Sequence, residues 1–412
     1  MNENLKRALF IFAFLVVVIG AGFGLYILFF KGESPILRPP TSTSTTPGQL
    51  PTSGPGGVST TGTGTGGTGV LPTTPGQPFN PSLPTGVPTQ QRSTVLRSDV
   101  SRNIAMSNSG ALRGYDPLSG KFYRVNADGS VTDLSSQTFY GVDQVAWGNN
   151  SDKAVLSYPD GNNVLYDFQT QKQVTLPKHW DDFDFSPQDD AIAAKSLGIN
   201  EDNRFLIISN PDGTNSQPIQ ELGNNADKVH VSWSPNDQIV AYSFTGNPLG
   251  FDRQQVLLLG KNQENFRGLD VEGRGFIPNW SPSGNNLLYS AYQSGSGYLP
   301  SLWVSGAVGD DIGTNRRELQ LNTWADKCTW RNESEIICGV PTSLGTGAGL
   351  QRSLFANTPD QLVRVNVDTG ETVVYGSPSV NDVAIQQMVA TPDGSAVIFT
   401  DTISGQLIRF EL

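Results

Sequence analysis

The chain has 412 residues, of which 27 are Lys or Arg and 38 are Asp or Glu, so its formal net charge is −11. A polyanion would be repelled unless the chain carried a local basic patch, and no run of Lys or Arg occurs. We therefore expect no nucleic acid among its partners. The 45 Gly and 27 Pro predict a turn-rich fold, an uncharged linker, or both.

The first predicted element is a membrane-spanning helix over residues 9–30, which contain no charged side chain. At 1.5 Å per residue, a helix of this length covers the roughly 30 Å hydrocarbon core of a bilayer. A cleaved signal peptide is the alternative, but its apolar core is usually about 7–15 residues and ends at small residues. Lys6 and Arg7 precede the span, which favours a cytoplasmic N-terminus at residues 1–8. We therefore expect a single-pass protein whose remaining chain is extracytoplasmic, in the periplasm or at the cell surface.

Residues 31–93 are predicted to be a disordered linker. Between residues 39 and 91 there is no Asp, Glu, Lys or Arg, and Thr, Ser, Gly and Pro predominate. Such a segment has too little apolar surface to offset its chain entropy. As a flexible coil it would span roughly 40 Å. It would hold the following domain away from the bilayer.

From residue 94 to residue 412 the sequence predicts an all-β domain built from a repeated unit. Short apolar segments alternate with turn dipeptides, and helical periodicity is nearly absent. The unit is an aromatic-ended strand, a polar turn such as Ser-Pro-Asn-Asp at 234–237, and a second apolar strand. Its anchors are Trp147, Phe185, Trp233, Trp280, Trp330 and Ala390. A second turn, Asn-x-Asp-Gly, follows later strands at 126–129 and 210–213.

The Trp-Ser-Pro-x-Gly/Asp hairpin followed by Asn-x-Asp-Gly resembles the repeats of TolB-like β-propellers, which are WD40-like proteins with PD40-type repeats. The resemblance covers the chain from about Val95 onward, and it implies blades of four antiparallel strands packed around a ring. The recurring tryptophans are then expected in the core between blades.

Seven blades are expected, with six as the alternative. Four strands precede Trp147, and the last unit has strands near 387–390, 396–400 and 407–410 before the chain stops. Its missing fourth strand can be supplied by residues 94–96, which would close the ring and remove two exposed edges.

Two further features concern cysteines and acidic residues. Cys328 and Cys338 flank Trp330 in one hairpin. They are predicted either to form a disulfide, which an extracytoplasmic location permits, or to be two small core residues. The acidic stretch at 179–190 lacks the spacing of a calcium loop. We interpret it as a solvated turn cluster.

The candidate partner-binding residues lie in long connections after the second strand of the later units. These connections emerge on one face of a propeller, and exposed aromatic and Arg side chains are typical of protein-binding anchors. The alternative is that they fold back as local small cores. The candidates are Phe251, Arg253, Tyr292, Tyr298, Arg352 and Phe355.

No catalytic, cofactor-binding or metal-binding residue is predicted, because no nucleophile elbow or tetrahedral metal spacing occurs. We expect that the chain is not an enzyme and has no cofactor. The favoured function is a membrane-tethered scaffold that binds other envelope or membrane proteins. The alternative is a non-catalytic propeller that binds cell-wall glycan through its exposed aromatic residues.

Overall fold

The computed structural model describes residue 20 and residues 92–126, 128–378 and 382–412. The predicted N-terminal segment 1–8 lies outside the described residues, as do the span 9–30, apart from residue 20, and the linker 31–93, apart from its last two residues. In the described part of the chain, no helix has the length and apolar character needed to cross a bilayer.

The described residues form seven four-stranded antiparallel sheets, which we number as blades in chain order. The first strand is β1 (Ser93–Arg97), which belongs to blade 7. Blade 1 contains β2 (Arg102–Met106), β3 (Leu112–Asp116), β4 (Lys121–Val125) and β5 (Val131–Asp133). Blade 2 contains β6 (Gln144–Trp147), β7 (Lys153–Ser157), β8 (Asn163–Asp167) and β9 (Lys172–Leu176). Blade 3 contains β10 (Trp180–Phe185), β11 (Ile192–Leu197), β12 (Arg204–Ser209) and β13 (Gln217–Glu221).

Blade 4 contains β14 (Val229–Val231), β15 (Ile239–Ser243), β16 (Gln254–Gly260) and β17 (Leu269–Val271). Blade 5 contains β18 (Arg274–Trp280), β19 (Asn286–Tyr292), β20 (Pro300–Gly306) and β21 (Arg317–Glu318). Blade 6 contains β22 (Cys328–Trp330), β23 (Glu335–Pro341), β24 (Asp360–Asn366) and β25 (Thr372–Gly376). Blade 7 contains β26 (Ile385–Ala390), β27 (Ala396–Asp401), β28 (Leu407–Glu411) and β1. Six short 3-10 helices lie in connections of the described part: Glu201–Asn203, Gly223–Lys228, Ser294–Ser296, Gly309–Asp311, Ala325–Lys327 and Arg352–Phe355.

The Ser-Pro turns connect the first and second strands of a blade, as the sequence predicts. In blade 4 the backbone N–H of Asp237 donates to the carbonyl of Ser234 at 2.9 Å, and the Ser234 hydroxyl accepts from the N–H of Ile239 at 2.9 Å. Asp237 has φ 62°, a left-handed conformation that Asp tolerates better than most residues. These bonds satisfy the turn locally and allow the two strands to reverse tightly.

The apolar core is divided into seven clusters, each lying between two adjacent blades. The predicted placement of the tryptophans between blades is confirmed at three positions by their indole N–H groups, which donate to the preceding blade. Trp147 donates to the Asn103 carbonyl at 2.8 Å, Trp280 to the Ser232 hydroxyl at 2.9 Å, and Trp330 to the Asn279 carbonyl at 3.3 Å. Because both faces of a blade are covered by neighbours, no blade can bury its core alone.

The ring closes through its N-terminal strand. β1 pairs antiparallel with β28, with Ser93 opposite Phe410 and Val95 opposite Ile408, which confirms seven blades and excludes six. Arg97 fastens this strand to blade 1, because its Nη2 atom lies 2.7 Å from the Asp116 carboxylate and its guanidinium lies 4.6 Å from the Tyr123 ring. The closing strand therefore joins the first and last blades.

The antiparallel topology gives the ring two distinct faces. We call the loop face the one that carries the connections from second to third strands and from one blade to the next. We call the turn face the opposite one, with the connections from first to second and from third to fourth strands. β1 starts at the turn face, where the N–H of Glu411 donates to the Arg92 carbonyl at 2.9 Å. The chain therefore enters the propeller through the turn face.

Candidate functional site

Exposed apolar side chains are concentrated on the loop face. Ten large hydrophobic residues are exposed in the described part of the chain, and seven of them lie in loop-face connections. These seven are Leu118, Tyr140, Ile199, Phe251, Leu350, Leu354 and Ile403. The other three, Val95, Val131 and Val174, lie on the outermost strands β1, β5 and β9. The turn face contributes none of the ten.

The loop-face connections of blades 4 and 5 are bonded to each other. In blade 4, Phe251 is 72% exposed, and the Arg274 guanidinium of blade 5 donates to its carbonyl at 3.0 Å. The Asp252 carboxylate accepts from the N–H of Ser294 at 3.0 Å and from the Ser294 hydroxyl. These hydrogen bonds lower the pKa of Asp252. The exposed Phe251 therefore sits on a backbone that is held by the next blade.

The connections of blades 5 and 6 are also bonded. The N–H groups of Gly347 and Gly349 donate to the carbonyls of Gly297 and Tyr298 at 2.8 and 2.7 Å. A Cβ atom on Gly349 would lie 2.6 Å from the Tyr292 ring, so only glycine permits this approach. We call the three connected segments, residues 245–253, 293–299 and 342–359, the platform. Its exposed apolar side chains are Phe251, Leu350 and Leu354.

The six residues singled out from the sequence are all close to the platform, but the structure gives them different surroundings. Phe251 is exposed, whereas Arg253 is paired with Glu272 at 3.0 Å. Tyr292 and Tyr298 are half-buried in the contacts between the connections of blades 5 and 6, and Phe355 is half-buried against Gly345. Arg352 donates to both carboxylate oxygens of Asp326. Five of the six therefore make contacts within the platform or between it and neighbouring segments, and one projects from it.

Sequence reasoning missed most of the exposed loop-face residues. Leu354 lies one residue before the selected Phe355, and Leu118, Ile199 and Ile403 lie in equivalent connections of blades 1, 3 and 7. The available signal was topological: every connection after a second strand shares this face, including the short ones. The candidates were chosen for aromatic and Arg side chains in long connections, so the aliphatic residues of long connections and all residues of short connections were passed over.

A polar cavity of about 530 Å³ opens where blades 1, 2, 6 and 7 meet at the loop face. Its lining includes Arg102, Asp143, Gln386 and the Arg352–Asp326 pair. The Arg352 guanidinium also lies 5.0 Å from the ring of Trp324. The platform therefore extends from the rim of the ring to this cavity through Arg352.

A buried ion pair lies beside this cavity. Lys327 Nζ lies 2.7 Å from Asp360, and both side chains are almost fully buried. Burial lowers the pKa of Lys327 and raises that of Asp360, while the attraction between the two opposes both shifts. Asp360 also accepts from the N–H of Ile385 in blade 7 at 2.6 Å. Since Asp360 directly follows residue 359, the pair fixes the end of the platform.

The acidic stretch at 179–190 is not a solvated turn cluster as a whole, so that interpretation is corrected. Asp182 and Asp184 accept from the N–H groups of Val231 and Trp233 in blade 4 at 2.9 and 2.7 Å. Asp189 accepts from three consecutive N–H groups in the turn 149–151 of blade 2. These carboxylates therefore bond to the backbone of adjacent blades. Spacing along the chain carries no signal for such contacts.

Cys328 and Cys338 form a disulfide between directly opposed positions of β22 and β23. Both residues are buried, and Cys328 immediately follows the 3-10 helix Ala325–Lys327 that bears Asp326 and Lys327. The described residues contain no group of three His, Cys, Asp or Glu side chains arranged to hold a metal ion. The expected absence of a metal and of a cofactor stays a prediction from the sequence.

No family model matches the chain, and no curated protein matches its sequence. Solved structures do match. The β-propeller domain of Myceliophteria thermophila Cps50 (Swd1) aligns with a TM-score of 0.53 and 11% identity, over 78% of this chain and 99% of that one. Oligogalacturonate lyase from Vibrio parahaemolyticus aligns with a TM-score of 0.54 and 14% identity, over 78% and 94%. An oligogalacturonate lyase in complex with manganese gives 0.53 and 15%, over 78% and 93%.

These likenesses establish the fold alone. The chain is a seven-bladed β-propeller. The prediction that the chain is not an enzyme is wrong, because it excluded catalysis. Two of the solved propellers are lyases, so the fold is compatible with catalysis. The absence of a familiar catalytic motif misled the sequence argument, since one fold serves many functions. The TolB-like family assignment stays a prediction.

Proposed function

We propose that the chain is a membrane-tethered, extracytoplasmic propeller that binds other envelope proteins through its loop face. The observation that carries the proposal is the distribution of exposed large hydrophobic residues among the described residues, seven of ten on the loop face and none on the turn face. Both faces do the same work of connecting strands, so folding alone gives no reason for the difference. Exposed apolar groups concentrated on one side are typical of interaction surfaces.

The platform supports a protein partner in particular. Hydrogen bonds between the connections of blades 4, 5 and 6 hold its backbone in place, so binding costs little additional ordering entropy. Its exposed anchors are one aromatic and two aliphatic side chains. Apolar side chains of this kind suit the centre of a protein interface, which is more apolar than its rim. A glycan site would instead be expected to expose several aromatic faces for stacking.

The chain enters the ring at the face opposite the platform, so a tether attached there would not cover the platform. The predicted linker joins β1 at the turn face, on the side opposite the platform. A tether attached there would leave the loop face directed away from its own attachment point.

The proposed binding is tested by a crosslinking pull-down from native membranes with the full-length protein. The platform variant is Phe251→Ser, Leu350→Ser and Leu354→Ser. The matched control carries three substitutions of exposed hydrophobic residues on outer strands, Val95→Thr, Val131→Thr and Val174→Thr. We expect wild type and control to recover the same envelope protein, and the platform variant to lose at least about nine-tenths of it, as for removal of about 1.4 kcal/mol or more.

Equal recovery by the platform variant would contradict the proposal. If the wild type is retained on isolated wall polymer and the platform variant is not, the partner is a glycan rather than a protein.

The proposed location has its own test, because a disulfide persists in oxidising compartments. When whole cells are denatured and treated with an alkylating reagent, Cys328 and Cys338 should be labelled only if a reductant is added first. Labelling without reduction would place the propeller in the cytoplasm.

A further inference from the structure

The connection at residues 342–359 of blade 6 is held by two different devices. Connections of more than roughly 12–15 residues are uncommon in compact domains and are usually functional. The first half is held by backbone hydrogen bonds, because Gly347 and Gly349 donate to Gly297 and Tyr298 in blade 5. Ala348 between them is fully buried. Leu350 thus follows a segment that is fixed by main-chain contacts.

The second half is held by a side chain. It contains the 3-10 helix Arg352–Phe355, whose own hydrogen bonds are local: Leu354 donates to the Gln351 carbonyl at 3.1 Å, and Ala356 to the Ser353 carbonyl at 3.4 Å. Phe355 and Gln351 contact the first half of the same connection, at Gly345 and Gly347, whereas Arg352 contacts residues outside the connection. Its Nη2 lies 2.8 Å from Asp326 Oδ1 and its Nη1 lies 2.7 Å from Oδ2, while the guanidinium lies over Trp324. Such bidentate pairs fix the orientation of the two side chains as well as the distance between them.

We infer that Asp326 is a positioning residue, which acts through Arg352 to fix Leu354 relative to Leu350 and Phe251 on the platform. This inference rests on the proposed function, since the positioning matters only if the platform binds a partner. Asp326 and Arg352 also line the polar cavity. Breaking their pair would therefore release the helix Arg352–Phe355 from the edge of the cavity.

The elements on either side of the pair are anchored independently of it. Trp324 and Lys327 are buried, and Lys327 is paired with Asp360 at the end of the connection. By contrast, the Asp326 and Arg352 side chains remain 42% and 38% exposed. Changing Asp326 should therefore loosen the helix without unfolding blade 6, since partly exposed pairs contribute little to global stability.

The test is hydrogen exchange of the full-length protein combined with the membrane pull-down. Asp326→Asn keeps the size of the side chain and removes its charge, and the exposed turn-face variant Asp310→Asn is the control. We expect exchange over residues 351–358 to become about two- to fivefold faster in Asp326→Asn, as for loss of a partly exposed pair, with residues 345–350 unchanged. Partner recovery should fall by about the same factor. The charge-swapped double variant Asp326→Arg with Arg352→Asp should restore both.

Unchanged exchange over residues 351–358 in Asp326→Asn would overturn the inference, as would equal acceleration across residues 345–350. Failure of the charge swap to restore exchange would also overturn it, because the pair would then not be what holds the helix. If the wild type recovers no partner, the proposed function fails while the exchange result still decides whether Asp326 orders the helix. Faster exchange with full partner recovery would show that Asp326 does not position the binding surface.

Discussion

The loop face and the turn face connect the same strands and differ in the hydrophobic residues that they expose. On the turn face most connections are short polar turns, and several repeat the same bonds. Asp128, Asp212 and Asp393 each accept from the backbone N–H two residues later. Connections on both faces bond to neighbouring blades, but those on the loop face vary more in length and expose the hydrophobic residues. The turn face thus shows what the repeat needs to fold, and the loop face shows what has been added to it.

The largest effect is expected from breaking the buried pair at the base of the platform. Lys327→Ala leaves the Asp360 carboxylate buried without its cation, which should cost about 3–5 kcal/mol of unfolding free energy. The measurement is denaturant unfolding at neutral pH. The control is Arg409→Ala, which removes a solvent-exposed pair with Glu411 and should cost about 1 kcal/mol or less. Similar losses in the two variants would show that the loop-face pair does not stabilise the ring.

A smaller effect, with a defined sign, is expected at Asp184 between blades 3 and 4. Burial raises the pKa of Asp184 to about 6, from an ordinary value of 3.8, and the neighbouring Asp182 adds to the shift. The N–H groups of Trp233 and Phe185 oppose it. The folded protein therefore holds this proton more tightly than the unfolded chain. Its stabilising contribution is complete below about pH 4 and is lost as the pH rises through about 6.

Asp184→Asn removes this titration. From pH 4 to pH 7 the stability of the wild type relative to the variant should fall by on the order of 2–3 kcal/mol. Thermal or denaturant unfolding at several pH values measures it. The control is Asp128→Asn on the turn face, where hydrogen bonds from Ser130 lower the pKa. In this control the wild type should become less stable relative to Asp128→Asn as the pH falls below about 4. Parallel pH profiles for wild type and Asp184→Asn would contradict the account.

The smallest effect on stability is expected at the platform surface, where the effect on binding is expected to be large. Phe251, Leu350 and Leu354 project into solvent, so replacing each by Ser should change the unfolding free energy by only about 0.5 kcal/mol or less. The measurement is denaturant unfolding of the three single variants. A loss of several kcal/mol at any of them would mean that the residue belongs to the core of its connection.

The repeat made the architecture predictable from the sequence. Turn dipeptides and aromatic anchors recur along the chain, so strand positions, the inter-blade tryptophans and closure by β1 could be inferred from local patterns. The contacts of the platform could not, because they join residues that are distant along the chain. Asp252 meets Ser294, and Arg352 meets Asp326, only after the blades are assembled. Asp189 looked like a solvated acid for the same reason.

The most direct test of the central claim is photocrosslinking in native membranes from the two faces. A photoreactive phenylalanine analogue replaces Phe251 at the platform in one protein and Thr214 at a turn-face turn in the other. Both positions lie outside the strands. We expect a discrete adduct with one envelope protein from position 251 and none from position 214. An adduct from position 214 with none from position 251 would contradict the assignment of the loop face as the binding surface.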